Sequence, residues 1–148
     1  MASLDGVAAR IADDLDDREA WMVLADGLLD HGDARGQWIN LAFGDGPVDE
    51  RLALEARWHR GGPGGFQWPD ARLSWRFGFV VRVQVRWAHD TLRYLAALND
   101  HPDGLLWRSL SLSDLSVDAL RRFLTAPGTD RLRTLTVTPV VHDHIIAA

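Results

Sequence analysis

The chain has no cysteine and no lysine among its 148 residues. Without cysteine there is no disulfide, no zinc–thiolate centre and no thiol nucleophile. All 16 basic residues are arginine, which we read as the codon usage of a GC-rich genome. No apolar run approaches the length of a membrane span, and the acidic first residues are unlike a signal peptide, so the cytoplasm is the expected location. The net charge of -5 is not offset by any basic segment, so neither duplex nucleic acid nor an anionic membrane is an expected partner. No serine stands in a Gly-x-Ser-x-Gly turn, and there is no phosphate loop or Gly-x-Gly-x-x-Gly motif. The run Gly61 to Gly65 lacks the preceding strand and following helix that such a motif needs. Neither an enzyme nor a cofactor is expected.

What remains is an ordinary globular composition, 47% hydrophobic and 25% charged, at a length suited to one domain. Leu4, Val7, Ala8, Ile11 and Leu15 mark one face of a first helix. The acidic cluster Asp13-Asp14 and Asp16-Asp17 reads as a solvated turn, with Asp16 capping a second helix and Glu19 completing a capping box. Trp21, Leu24, Ala25 and Leu28 form its stripe, and Trp38, Leu41 and Ala42 that of a third helix. Pro47 suits the first turn of a fourth, continued by Val48, Leu52, Ala56 and His59. These residues, 1–62, make a helical cap. A Gly/Pro-rich connecting loop, 63–74, follows, whose Phe66 and Trp68 should tuck back onto the core.

From residue 75 to 148 the period changes from 3.6 to 2. "FVVRVQVRW" alternates as a half-buried strand does, and "LWRSLSLSDL" and "LRTLTVTPVV" repeat the pattern. Helical stretches intervene, one with Leu92, Leu95, Ala96 and Leu98 and one capped by Ser116 with Leu120, Phe123 and Leu124. The spacing apolar-x-x-apolar-x-apolar recurs as Val80, Val83, Val85; Trp107, Leu110, Leu112; and Leu132, Leu135, Val137. Steps of 27 and 25 residues fall within the range of leucine-rich repeats. The expected fold is therefore α+β or α/β: an N-terminal helical bundle packed on a short parallel, leucine-rich-repeat-like strand-helix array. The asparagine of such repeats is absent, its positions being Ala88, Leu115 and Val140.

"MVLADGLLDHGDARGQWINL" (residues 22–41) resembles the core of the bacterial repeat-companion domain, a module found beside leucine-rich-type repeats. "WRFGFVVRVQV" (residues 75–85) is similar to the start of that module's first strand. Gly27 departs from the pattern, where the family carries tryptophan; Trp21 or Trp38 would fill the gap. The resemblance implies an interaction module without catalytic residues.

Three sets of residues invite a functional reading. The corner Gly32-Asp33-Ala34-Arg35-Gly36 joins the second and third helices, and Asp26 on the preceding helix could meet Arg35 as a tie between them; a ligand site is the rival reading. In the cluster His142-Asp143-His144 the two histidines would share one side of a strand, as metal-binding imidazoles do, but no further histidine, aspartate or glutamate is close in sequence. Parallel stacking of the strands would align Arg82, Ser109 and Thr134; Gln84, Ser111 and Thr136; and Arg86, Ser113 and Thr138 in polar columns. With Trp87 and Trp107 near the strand ends expected to be partly exposed, and Arg82, Arg86 and Trp107 as anchors, this face could hold a partner protein, such as one encoded nearby. A non-enzymatic bacterial adaptor is the expected function, with a small metal-dependent enzyme or ligand-binding protein using His142 and His144 as the alternative.

Overall fold

A computed structural model describes residues 4–44, 46–58 and 64–139. Four helices come first: α1 (Leu4–Asp13), α2 (Arg18–Asp30), α3 (Arg35–Phe43) and α4 (Val48–Trp58). α1 buries Val7, Ala8 and Ile11 against Ala20, Trp21, Leu24, Ala25 and Leu28 of α2, as the helical spacing requires. Gly27 lets the two helices meet, since a Cβ there would lie 2.6 Å from Leu4 Cδ2.

The α2 cap differs from the sequence expectation. Asp17, not Asp16, accepts the Ala20 N–H at 3.0 Å, and it also meets Arg10 at 3.1 Å. Asp16 is drawn out of the cap because its own N–H donates to the Asp14 carboxylate at 2.9 Å. In α4 the apolar stripe faces outward: Val48, Leu52 and Ala56 are exposed, whereas Arg51, Leu54 and Trp58 are the partly covered residues. The helix is turned so that Trp58 lies near the Arg35 guanidinium, 5.7 Å from its ring centroid. His59 lies outside the described residues.

The second half is a four-stranded sheet with two further helices. Its strands are β1 (Ala71–Arg76), β2 (Phe79–Arg86), β3 (Ser109–Leu115) and β4 (Thr134–Pro139), in that spatial order. β2, β3 and β4 are parallel, and β1 pairs antiparallel with β2. The sheet is therefore mixed rather than wholly parallel. Residues 71–74, expected in the connecting loop, belong to β1. β1 was hidden because both its faces are partly covered, so it has no period-2 signature.

Phe77 and Gly78 close the β1–β2 hairpin in two residues, both with positive φ (50° and 78°). That geometry ordinarily selects asparagine or glycine. Phe77 is held there by its ring, which sits 5.0 Å from Trp21, 5.4 Å from Trp38 and 5.7 Å from Phe43. The aromatic contacts thus offset a backbone strain of about 1–3 kcal/mol.

α5 (Thr91–Asp100) and α6 (Val117–Leu124) lie on one face of the sheet. Their Leu95, Leu98, Ala119 and Phe123 join Val83, Val85, Leu110 and Leu112 in one core, which Phe66 and Trp68 also enter. Ser116 caps α6 through the Ala119 N–H, whereas Leu124 points to solvent. Phe79 and Leu106 belong instead to the core of the helical cap, which therefore meets the sheet where β2 and β3 begin.

Candidate functional site

The corner between α2 and α3 is built on Gly32, whose φ of 74° turns the chain left-handed after α2. Gly36 permits the close approach of the two helices, since a Cβ there would lie 2.5 Å from the Ala25 carbonyl oxygen. Asp33 accepts the Arg35 N–H at 3.0 Å and so tethers the start of α3. Arg35 itself points inward and is only 4% exposed.

Every nitrogen of the Arg35 guanidinium has a partner. Nε donates to both Asp33 carboxylate oxygens at 3.1 Å, and Nη2 donates to Asp33 Oδ2 at 2.7 Å. Nη1 donates to Asp103 Oδ1 at 2.8 Å and to the Gly78 carbonyl at 3.2 Å. The Phe79 ring lies beneath, 4.1 Å from the guanidinium carbon. Burial alone would raise the Asp33 carboxyl, but the Arg35 hydrogen bonds and charge outweigh it and hold the group below its usual value.

Asp26 does not take part. It is exposed on the outer side of α2, so the expected Asp26–Arg35 pair is replaced by Asp33 and Asp103. The physical reason is rotation along α2: Ala25 and Leu28 face the core and turn Asp26 away.

Asp103, 3% exposed, sits in a short 3-10 turn (Pro102–Gly104) and carries the tie across to the sheet. Its Oδ2 accepts the Phe66 N–H at 2.8 Å. Its own N–H donates to His101 Nδ1 at 3.0 Å, and His101 Nε2 lies 3.3 Å from the Gly64 carbonyl. Accepting the Asp103 N–H at Nδ1 leaves Nε2 as the side of the ring that faces the Gly64 carbonyl. Arg35 and Asp103 therefore join the helical cap, the hairpin turn and the loop before β1. These hydrogen bonds are those of a tie between the elements.

The open face of the sheet has the polar columns in register. Arg82 pairs with Ser109 and Ser109 with Thr134; Gln84 pairs with Ser111 and Ser111 with Thr136; Arg86 pairs with Ser113 and Ser113 with Thr138. β1 extends two of these rows, Ser74 opposite Arg82 and Arg72 opposite Gln84. Sequence reasoning missed Arg72 and Ser74 because it missed β1. Arg72, Arg82, Arg86 and the three threonines are exposed, while Gln84 and the serines are partly covered by their neighbours. Arg86 is bound to Asp114, which occupies a bulge in β3 with φ 56°. Arg82 forms no ion pair among the described residues.

Trp107 is not on this face. It is 2% exposed in the sheet core, its Nε1 donates to Asn99 Oδ1 at 3.0 Å, and Arg131 lies over its ring. The residue precedes β3, so strand alternation does not govern it, and its expected role as an anchor is withdrawn. Trp87 is half-buried against the same core.

His142 and His144 lie outside the described residues. Among the described residues no group of three or more histidine, aspartate or glutamate side chains converges as metal ligands would. No helix is long and apolar enough to cross a membrane, again among the described residues. No family model, curated protein or solved structure matches the chain.

Proposed function

We propose that this chain is a non-enzymatic, cytoplasmic interaction module that holds another protein on the open face of its sheet. The observation that carries the reading is the register: it stacks arginine, glutamine, serine and threonine into continuous rows. The helices α5 and α6 are engaged on the opposite side. Arginine dominates interface energies because its fork gives fixed, charge-assisted hydrogen bonds over a large contact area. The partner would present carboxylates or carbonyl groups to Arg72 and Arg82, with the hydroxyl rows supplying adaptable hydrogen bonds beside them and Arg86, already paired with Asp114, at the edge.

The repeat-companion resemblance supports this reading, as does the recurrence of strand and helix in the parallel β2–β3–β4 half. On that basis the array is a degenerate leucine-rich-type unit, and its partner belongs to a bacterial complex, such as a protein encoded nearby. Affinity capture from the native host by the parent and by Arg82→Glu, read by mass spectrometry, tests it. A partner retained by the parent and lost by the folded variant supports the reading. Equal capture by both removes the sheet face as the interface.

A further inference from the structure

A second group of arginines lies away from the open face. A cleft of about 650 Å³ opens between the first turn of α1, the end of α2 and the residues leading into β3. Arg108 and Arg131 form part of its wall, beside Leu4, Leu28 and Leu105. Both are half-buried. Both donate to the Leu105 carbonyl at 3.1 Å, which brings the two guanidiniums side by side.

Neither has a carboxylate partner within ion-pair distance among the described residues. The remaining acceptors of Arg131 are Asn99 Oδ1 at 3.0 Å and the Gly104 carbonyl at 2.6 Å, and its buried Nε has none. Among the described residues Arg108 donates through Nη1, to Leu105 and Trp107, and its Nε–Nη2 edge has no acceptor there, which leaves that edge for a bidentate contact. Burial first, then the charges of Arg131 and Arg133, lower the Arg108 guanidinium to about 10, partly offset by Asp5 and Asp13. Burial likewise lowers Arg131.

Two adjacent, partly desolvated cations with no carboxylate in ion-pair contact among the described residues, and only more distant acids to offset them, favour the arrival of an anion. The nearby acids do not fill that place: Asp33 is bound to Arg35, and Asp5 and Asp100 are exposed at the rim. We infer that this cleft binds a small organic phosphate, its phosphate group meeting Arg108 and Arg131 and its apolar body resting on Leu4, Leu28 and Leu105. Paired guanidiniums favour a dianion over a single carboxylate, and the cleft volume is that of a small-molecule site.

Calorimetric titration with phenyl phosphate, inorganic phosphate and benzoate tests the inference. Phenyl phosphate is expected to bind saturably and at least about fivefold more tightly than either of the others, which each supply one half of its chemistry. Arg108→Gln, checked for folding by circular dichroism, is expected to weaken it about tenfold or more. Asp5→Asn, an exposed change that leaves the fold intact, removes a competing charge and is expected to tighten binding about two- to fivefold. No saturable binding of phenyl phosphate by the parent overturns the inference. So does benzoate binding as tightly as phenyl phosphate, or parent-like affinity in folded Arg108→Gln. If Arg108→Gln does not fold, Asp5→Asn decides: tighter binding supports the site, and unchanged or weaker binding overturns it.

Discussion

Arg35 and the Arg108–Arg131 pair are all withdrawn from water, yet the protein treats them in opposite ways. Arg35 is enclosed by Asp33, Asp103, a carbonyl and the Phe79 ring, so its charge is neutralised where it lies. Arg108 and Arg131 are given carbonyls and an amide only. A buried charge with two carboxylates serves as a joint. A half-buried charge with none remains available to something arriving from outside. The same distinction separates Arg86, bound to Asp114, from Arg82 on the open face.

The contrast can be broken by substitution. Arg35→Ala should cost about 3–5 kcal/mol in denaturant melts, because Asp103 would be left buried and charged without its partner. Leu110→Ala, in the sheet core, should cost about 2–5 kcal/mol, whereas Ser111→Ala on the opposite face should change stability by less than about 0.5 kcal/mol. The reverse order would mean that the rows of the open face are misassigned.

Acid unfolding sharpens the comparison from the carboxylate side. The Asp33 carboxyl is lowered in the folded chain, so its contribution is present above its unfolded value of 3.8 and is lost as pH falls through the lower folded value. Asp33→Asn should therefore flatten the loss of stability below about pH 4 relative to the parent. An unchanged acid limb would show that Asp33 is not held by Arg35. Arg108→Gln should also cost little, less than about 1 kcal/mol in denaturant melts, since it removes a partly desolvated charge that forms no ion pair among the described residues. A cost as large as that of Arg35→Ala would erase the distinction between the two kinds of arginine.

How much of this was legible depended on the distance over which each feature is determined. The corner was readable because Gly32, Asp33, Arg35 and Gly36 lie together and their turn chemistry is local. The rows on β2, β3 and β4 were readable because alternation fixes which residues share a face. Asp103 was not: His101-Pro102-Asp103-Gly104 reads as a turn, but nothing local says that its carboxylate meets an arginine 68 residues earlier. β1 was lost because neither of its faces is dry or wet throughout, and because Phe77 stands where a hairpin turn ordinarily shows asparagine. Trp107 was misplaced because a residue just before a strand takes its orientation from tertiary contacts, here Asn99 and Arg131.

The central claim is that Arg35 joins the helical cap to the sheet through Asp103. A double-mutant cycle of Arg35→Ala and Asp103→Ala, followed by urea unfolding, measures that joint directly. The expected coupling is about 2–3 kcal/mol, with the double variant much less destabilised than the two single variants together imply. Additive losses, with a coupling near zero, would contradict the claim.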